Sequence, residues 1–318
     1  MIKWGNPLGM GSEECAAWAK GLQIPSHSNS ILYSGCEYQM AAYVESLVEI
    51  LKKSKFLDST YLVFRTLAGV ARRTGLNPLT AWGRVVSNKS RNHNQLIRKA
   101  ALTLRTLGVD FASIYPELYS GALIYELGFV EEFKKHAEKL TARLTETGAR
   151  RIITLSPHSA EILLQVYPRM IDSFDFEVKP YVAIVAEALE RTNIKLELPV
   201  ALSATIHDPC LQVRALKMVE EPRVVLQSVK NLNIVEASYS KEMTYCCGAP
   251  IETTFPELAE LIACNRIEQL GSTGAEVVVT MCPFCYSSLK KAAALTKTKM
   301  QIVDFIEIIY AGLGEANA

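Results

Sequence analysis

The segment EVVVTMCPFC, residues 276–285, places a run of apolar, β-branched residues directly before two closely spaced cysteines. The segment RRIITLSPHS, residues 150–159, repeats this order of strand and turn, again with a proline in the second position of the turn. A helical apolar pattern precedes each strand, and another follows each turn. The predicted helices cover residues 131–147 and 160–166 in one case, and 257–270 and the residues from Tyr286 onward in the other. Continuous β-branched strands that alternate with helices indicate an α/β fold with parallel sheets covered on both faces.

The two halves of the chain align at three features. The turns SPHS and CPFC are 126 positions apart, and the segments YSG (from Tyr119) and CCG (from Cys246) are 127 positions apart. Cys36 and Cys210, which end the segments GC and DPC, are 174 positions apart. An internal duplication with an insertion of about 47 residues in the first half explains all three offsets.

The duplication predicts two parallel-sheet α/β domains, the first of which carries a helical insertion. Residues 1–30 are interpreted as a linker-like start, and residues 31–180 as the first domain, with the insertion at about 40–107. Residues 181–318 are the second domain. The basic segment 84–98 within the insertion is interpreted as a solvated helical or loop face, with an anion or nucleic-acid site or a docking surface as alternatives.

Composition and charge exclude several classes of protein. The chain has 318 residues, of which 49% are hydrophobic and 21% charged, and this balance is typical of a globular protein. A net charge of +1 argues against a nucleic-acid partner, since nucleic acids require a strongly basic face. Neither an apolar run of about 20 residues nor the apolar core of a secretory signal is present, which predicts no direct membrane span and a cytoplasmic protein.

Five of the eight cysteines form a pattern, and three look isolated. The patterned ones, which we take as candidate ligands, are Cys210, Cys246, Cys247, Cys282 and Cys285. Cys15, Cys36 and Cys264 look isolated, and Cys264 is interpreted as a small buried hydrophobe in a helix. Four thiolates satisfy either zinc or a cubane 4Fe–4S cluster, so a fifth suggests an unusual cluster or a free thiol beside a conventional one. Structural zinc and a metal-free redox pair are the alternatives.

Each group of patterned cysteines follows an apolar strand, in the segments ALSATIHDPC, NIVEAS with the loop after it, and EVVVTMC. Because ligands collect at the carboxyl ends of parallel strands, these groups are predicted to converge. Helices that begin after CCG and CPFC would also direct their positive amino ends toward thiolates.

The motifs HDPC, CCG and CPFC, with FPELA after CCG, resemble the cysteine-rich CCG domain of the heterodisulfide reductase family of iron–sulfur oxidoreductases. The opening GNPLG…WAKGL resembles the segment that joins a ferredoxin-like module to the first CCG domain in fused members. The resemblance implies that the five patterned cysteines hold one 4Fe–4S cluster, cubane or noncubane. It also implies an oxidoreductase acting on a disulfide or thiol, with a ferredoxin-like iron–sulfur subunit and a flavoprotein subunit as partners.

The first half departs from the family pattern. CCG is replaced by Tyr119-Ser120-Gly121, CxxC is replaced by SPHS, and only Cys36 remains. One thiolate cannot hold a cluster, so the first site is predicted to be empty, with a Cys36–His158 metal site as a minor alternative. Tyr119, Ser120 and His158 are predicted to line the pocket that remains.

Two interpretations of function stay open. The first is a redox subunit that transfers electrons to or from a sulfur substrate through one cluster. The second is an electron-relay or anchoring subunit of a complex that oxidises a hydroxy acid, succinate or a quinol. His207 and Asp208 are candidate proton donors or partners of the ligands, with structural hydrogen bonding favoured for both. Arg214 is interpreted either as a contact to an anionic substrate or as part of a surface salt bridge.

Overall fold

The computed structural model describes residues 5–53 and 78–314, and its strands form two parallel sheets. The first sheet contains β1 (Ser30–Tyr33), β2 (Arg151–Thr154) and β3 (Glu177–Pro180), in the order β1-β2-β3. The second contains β4 (Glu197–Ile206), β5 (Lys230–Ile234), β6 (Val277–Thr280) and β7 (Gln301–Asp304), in the order β5-β4-β6-β7. Every neighbouring pair is parallel, which confirms the predicted α/β class.

The two sheets share one topology. β2 and β6 begin 126 positions apart, at Arg151 and Val277, as the offset of the turns predicts. Ala112 bridges Ile31 in parallel at the outer edge of β1, the position that β5 takes beside β4. The order 112-β1-β2-β3 therefore repeats β5-β4-β6-β7, consistent with a duplication.

Helices cover both sheets. Where their bounds differ from the predicted ones, the difference lies mainly at the first residue of the helix. In the first half they are α1 (Ser12–Cys15), α2 (Glu37–Lys53), α3 (Pro78–Thr106), α4 (Ala122–Glu126), α5 (Val130–Glu146), α6 (Pro157–Glu161), α7 (Tyr167–Met170) and α8 (Tyr181–Thr192). In the second half they are α9 (Glu220–Gln227), α10 (Pro256–Gly271), α11 (Pro283–Leu295) and α12 (Phe305–Gly312). α11 begins three residues before the predicted Tyr286, because Pro283 fits the first position of a helix. The helix predicted over 160–166 is the end of α6 followed by a π-helical turn, Ile162–Val166.

The predicted insertion is helical on both sides of residues 54–77, which lie outside the described part. α2 and α3 pack against each other, and α2 also packs against α11. In the basic segment, His93 is buried with its Nε2 3.2 Å from Ser287 Oγ, and Arg98 donates to the carbonyl of Lys20 at 2.8 Å. These two side chains therefore have partners within the fold, and the side chains of Lys89 and Arg91 lie outside the described part.

Cys15 and Cys36 form a disulfide, with their Cα atoms 5.0 Å apart. The prediction that both are isolated is wrong. Both are fully buried, and the bond ties the N-terminal segment to the start of α2. Their pairing depends on tertiary proximity across 21 positions, which spacing alone does not reveal. Structural disulfides are rare in reducing compartments. This bond therefore weakens the argument that cysteines of this chain bind a metal because their compartment is reducing.

The two halves share a hydrophobic core. One cluster of buried residues includes Leu32 and Ile153 from the first sheet together with Ala204 and Val278 from the second. α8 follows β3 as α12 follows β7, so it is the last helix of the first repeat, although the predicted boundary at residue 180 assigns it to the second domain. α8 packs against α9 and α12 packs against α3, so the last helix of each repeat reaches the other half. Within the described residues, no helix is both long and apolar enough to cross a membrane.

Candidate metal centre at the junction of the halves

The five patterned cysteines lie at the carboxyl ends of three adjacent strands. Cys210 follows β4, and Cys246 and Cys247 lie in the loop after β5. Cys282 is the N-cap residue of α11, and Cys285 lies in the first turn of that helix, after β6. Parallel strands place these loops at one edge of the sheet, and this convergence was predicted.

The side chains of these cysteines contact one another. Cys247 is hydrogen-bonded to Cys246 and Cys285, and Cys285 to Cys282. Cys210 lies close enough to Cys247 and Cys282 for both to raise its pKa, although burial is the larger cause. The structure therefore brings all five predicted cysteines into one cluster of sulfur atoms.

The hydrogen bonds between the thiols lower the pKa of some of them and raise the pKa of others. Hydrogen bonds from Cys246 and Cys285 lower the pKa of Cys247 well below its usual value, and the pKa of each donor rises in return. Burial raises the pKa of Cys282, but hydrogen bonds from Cys285 and His158 outweigh it and bring the pKa to about 5. A site that gathers thiolates in a buried setting is suited to a metal, which binds the deprotonated form.

The CCG turn depends on Gly248. Its φ is 85°, in the left-handed region, and a Cβ there would collide with the carbonyl oxygen of Ala259 in α10. The Gly248 N–H points at Cys246 Sγ at 3.3 Å, and Ser288 Oγ donates to the Cys247 carbonyl at 2.6 Å. Glycine is therefore required for α10 to pack this closely on the cysteine turn.

His207 is oriented by a buried arginine. Arg266, 1% exposed, donates from Nε to His207 Nδ1 at 3.1 Å. Since Nδ1 accepts, the ring proton lies on Nε2, which is buried and has no nitrogen or oxygen partner within the described part of the chain. One ring nitrogen of His207 and the sulfurs of Cys247 and Cys285 lie within 4.8 Å of one another. His207 is therefore placed to donate to sulfur, and its tautomer argues against a role as a ligand.

Asp208 and Arg214, the other polar candidates of this segment, have structural partners. Asp208 is fully buried, and its two carboxylate oxygens accept from Arg223 at 2.9 and 3.0 Å. Arg214 donates to the carbonyls of Glu242 and Thr244 at 3.0 and 2.5 Å, a contact that neither interpretation of Arg214 anticipated. Both side chains hold the loop that leads to Cys246.

The segments of the first half that align with the cysteine loops are held by buried hydrogen bonds. Glu117 Oε1 accepts from the N–H groups of Ser34 and Gly35 at 2.6 and 2.9 Å. Tyr33 and Tyr167, both fully buried, donate to the carbonyls of Leu118 and Ser120. With Cys36 in a disulfide, the suggested Cys36–His158 metal site is not supported, because its thiol is not free.

His158 instead contacts a candidate ligand of the second half. It is hydrogen-bonded to Cys282, and this contact raises the pKa of His158 to about 9 although burial acts in the opposite direction. Its ring packs edge-on against Phe284, with centroids 5.0 Å apart. The sequence singled out His158 by its position in the degenerate turn, but its contact with Cys282 becomes visible only in the packed structure.

A cavity of about 240 Å³ lies beside the cysteines and is lined by residues of both halves. Cys210, Cys247, Cys282 and Cys285 line one wall, while Met40 and Leu123 are among the residues of the opposite wall. Tyr119 and His158 line this cavity, as predicted, whereas Ser120 is fully buried and is not among its lining residues. A small molecule in this space can therefore approach the cysteine cluster.

The sequence model of the CCG family, described as a cysteine-rich domain, matches residues 204–290. One subunit of the dihydromethanophenazine:CoB--CoM heterodisulfide reductase of Methanosarcina barkeri is 27% identical over 231 residues, which cover 70% of this chain and 56% of the relative. The probable iron-sulfur-binding oxidoreductase FadF of Bacillus subtilis is 22% identical over 312 residues, which cover 96% of this chain and 38% of that protein. The chain thus spans about half the length of the first relative and less of the second.

Among solved structures, a hypothetical protein from Helicobacter pylori is similar with a TM-score of 0.52 and 15% identity, over 69% of this chain and 46% of that one. At this identity the likeness concerns the fold alone. The sequence comparisons confirm the predicted resemblance to the CCG domain and to heterodisulfide reductase.

Proposed function

We propose, from the homology of this chain to a heterodisulfide reductase polypeptide and to FadF, that it is the iron–sulfur redox subunit of a heterodisulfide reductase-like complex. One 4Fe–4S-type cluster would be held by the five converging cysteines, Cys210, Cys246, Cys247, Cys282 and Cys285. The observation that carries the proposal is that these thiols meet at one sheet edge, where all of them except Cys246 line a cavity. A bound cluster supplies one-electron transfer beside sulfur.

The donor set favours a cluster over a single zinc ion. Zinc in a structural site takes four ligands, whereas here four thiols are joined by hydrogen bonds and a fifth, Cys210, lies close enough to Cys247 and Cys282 for both to raise its pKa. Adjacent residues such as Cys246 and Cys247 project differently, so both serve one site only if that site is larger than one ion. The lone proton on His207 Nε2 is then a hydrogen-bond donor to the site.

A single cluster in the chain fits the loss of ligand cysteines from the first half. Glu117, Tyr33 and Tyr167 make buried hydrogen bonds there to the segments that align with the cysteine loops of the second half. In this proposal the first domain, residues 31–180 with the insertion, contributes a wall of the cavity, and the second domain, residues 181–318, binds the cluster.

The proposed reaction is the interconversion of one disulfide and two thiols. Cleavage of the S–S bond takes up two electrons and two protons. Iron–sulfur and flavin partners of the same complex would supply or accept the electrons. This chain's own residues bind the sulfur substrate in the cavity, and the apolar walls exclude water from it. His207 keeps its proton at Nε2 beside Cys247.

The test is iron and sulfide analysis of anaerobically purified protein, followed by EPR before and after a disulfide or thiol is added. We expect about four iron per chain and a signal that changes with the sulfur compound. Cys247→Ser should lose most of the iron, whereas Cys264→Ser, in the middle of α10, should keep it. Iron with a signal indifferent to thiols and disulfides would favour the relay subunit, and zinc without iron would exclude both functions.

A further inference from the structure

We propose that the cavity selects an apolar disulfide or thiol without acidic groups, an inference that rests on the proposed function and names its substrate class. The walls away from the sulfur atoms are mostly aliphatic or aromatic. They include Leu8, Met40, Val44, Leu123 and Phe284. These side chains come from the N-terminal segment, α2, α4 and α11, so both halves of the protein contribute to one apolar surface.

The described residues that line the cavity include neither lysine nor arginine. Glu126 and Glu252 are the carboxylates, and the one basic side chain, His158, is already hydrogen-bonded to Cys282. Arg214, four residues beyond Cys210, is directed away to the carbonyls of Glu242 and Thr244. Lys291 lines a separate small pocket, which Glu252 also lines.

This arrangement penalises an anionic substrate twice. A carboxylate or sulfonate entering the cavity would lose its hydration without gaining a lysine or arginine, since His158 is already bonded to Cys282. It would also face the carboxylate of Glu126 and, above pH 7, that of Glu252, whose pKa burial raises to about 7. An alkyl substituent loses nothing on leaving water, and each buried methylene is expected to strengthen binding by about threefold to fourfold.

The test uses the iron-loaded chain and two disulfides of similar length, dipropyl disulfide and the dianion of dithiodipropionic acid. The concentration that half-converts the EPR signal is measured for each. We expect dipropyl disulfide to act at a concentration at least tenfold below that of the dianion, and diethyl disulfide to be about tenfold weaker than dipropyl, because it lacks two methylenes.

A charge variant makes the comparison specific. Leu123→Lys places a cation on the cavity wall at a residue that is 37% exposed. It should weaken dipropyl disulfide and strengthen the dianion, each by roughly tenfold, a change of about 1.4 kcal/mol. The matched control is Leu127→Lys, which adds the same charge at a 62% exposed residue outside the cavity and should change neither value.

The possible results distinguish a wrong substrate class from a wrong proposed function. If the dianion acts at equal or lower concentration than dipropyl disulfide, the substrate class is wrong while the disulfide-active cluster stands. If Leu127→Lys shifts both values as much as Leu123→Lys does, the apolar wall does not select the substrate, and the inference fails. If the loaded chain responds to neither disulfide, the proposed function fails and the inference fails with it.

Discussion

At the scale of single residues, the hydrogen bond from Arg266 to His207 Nδ1 decides what the histidine can do. It leaves one proton on Nε2, next to the sulfurs of Cys247 and Cys285. Arg266 was not among the predicted residues, since an arginine in the middle of a helical pattern carries no sign that it is buried. Partners 59 positions apart are visible only once the chain is folded.

We expect His207→Phe to keep its iron and to lower the reduction potential of the site, because donors to sulfur stabilise the added electron. A hydrogen bond that strengthens by about 1.4 kcal/mol on reduction corresponds to about 60 mV for one electron. Redox titration followed by EPR measures the shift.

The control is His207→Gln, whose amide offers both an acceptor to Arg266 and a donor to sulfur. It should restore much of the potential. An unchanged potential in His207→Phe, with the iron retained, would show that the Nε2 proton does not act on the site. Loss of iron would instead make His207 a ligand.

The cysteine pattern itself was predictable to the residue, because spacing and strand ends suffice to bring Cys210, Cys247 and Cys282 together. What surrounds them was only partly predictable. The pairing of Cys15 with Cys36 and the contact of His158 with Cys282 join separate elements through packing, which spacing alone does not encode.

At the scale of elements, the apolar strands and the turns after them were predicted from local pattern alone. β2 and β6 are fully or mostly buried four-residue strands within the predicted runs, and their 126-position offset equals that of the turns. Helix starts were less certain, because a proline at the first position belongs to the helix that it begins, as at Pro283.

The CCG turn gives a sharp prediction at this scale. Gly248→Ala should lower the free energy of unfolding by more than about 2 kcal/mol and reduce iron retention, since the left-handed φ and the Ala259 carbonyl both oppose a Cβ. Thermal unfolding and iron analysis measure the two effects.

Gly271→Ala is the matched control. Gly271 is the last residue of α10, its φ is not in the left-handed region, and an added Cβ would meet only Met300 Cε at 3.7 Å. It should leave the iron unchanged and raise stability by about 0.5 to 1 kcal/mol. Equal losses in both variants would show that the turn at Gly248 has no special requirement.

The turn between β1 and α2 responds to pH through Glu117. Burial raises the pKa of Glu117 to about 7, above the value of 4.5 expected in the unfolded chain. The folded state therefore holds the proton more tightly, so the stability from this group is complete below pH 4.5 and is lost as pH rises toward 7, by up to about 3 kcal/mol.

Glu117→Gln should thus be as stable as the unmodified protein at pH 5 and more stable at pH 8, because an amide keeps the contacts to Ser34 and Gly35 without a charge. Denaturant unfolding at both pH values measures the difference. Glu37 and Asp304, whose pKa values burial also raises to about 7, keep part of the pH dependence in the variant. Equal stability differences at the two pH values would contradict an uncharged Glu117.

At the scale of the whole molecule, the two repeats are joined more closely than a linear domain map suggests. Tyr38 in α2 donates to Asp304 at the end of β7 at 2.9 Å, and Gln165 donates to the carbonyl of Ala215 at 2.8 Å. α12 packs on α3 and α8 packs on α9, so each half completes the surface of the other. A duplication read from sequence gives the repeat but not this exchange of contacts.

The shared core predicts one cooperative unfolding transition. All three tryptophans, Trp4, Trp18 and Trp82, lie in the first half, whereas the candidate ligands lie in the second. Tryptophan fluorescence therefore reports on one half and the absorbance of the loaded metal site on the other. We expect both signals to change at the same denaturant concentration, because Trp18 belongs to the core cluster that spans both sheets.

Ile309→Ala in α12 should move both signals together to a lower denaturant concentration, since Ile309 is fully buried in that shared core. The free energy of unfolding should fall by about 2 to 5 kcal/mol. Leu261→Ala, at a 58% exposed position of α10, removes the same number of carbon atoms and should change the free energy of unfolding by no more than about 0.5 kcal/mol. If Ile309→Ala shifted only the metal-site signal, the halves would unfold separately. The packing of α12 on α3 would then contribute little to the stability of the first half.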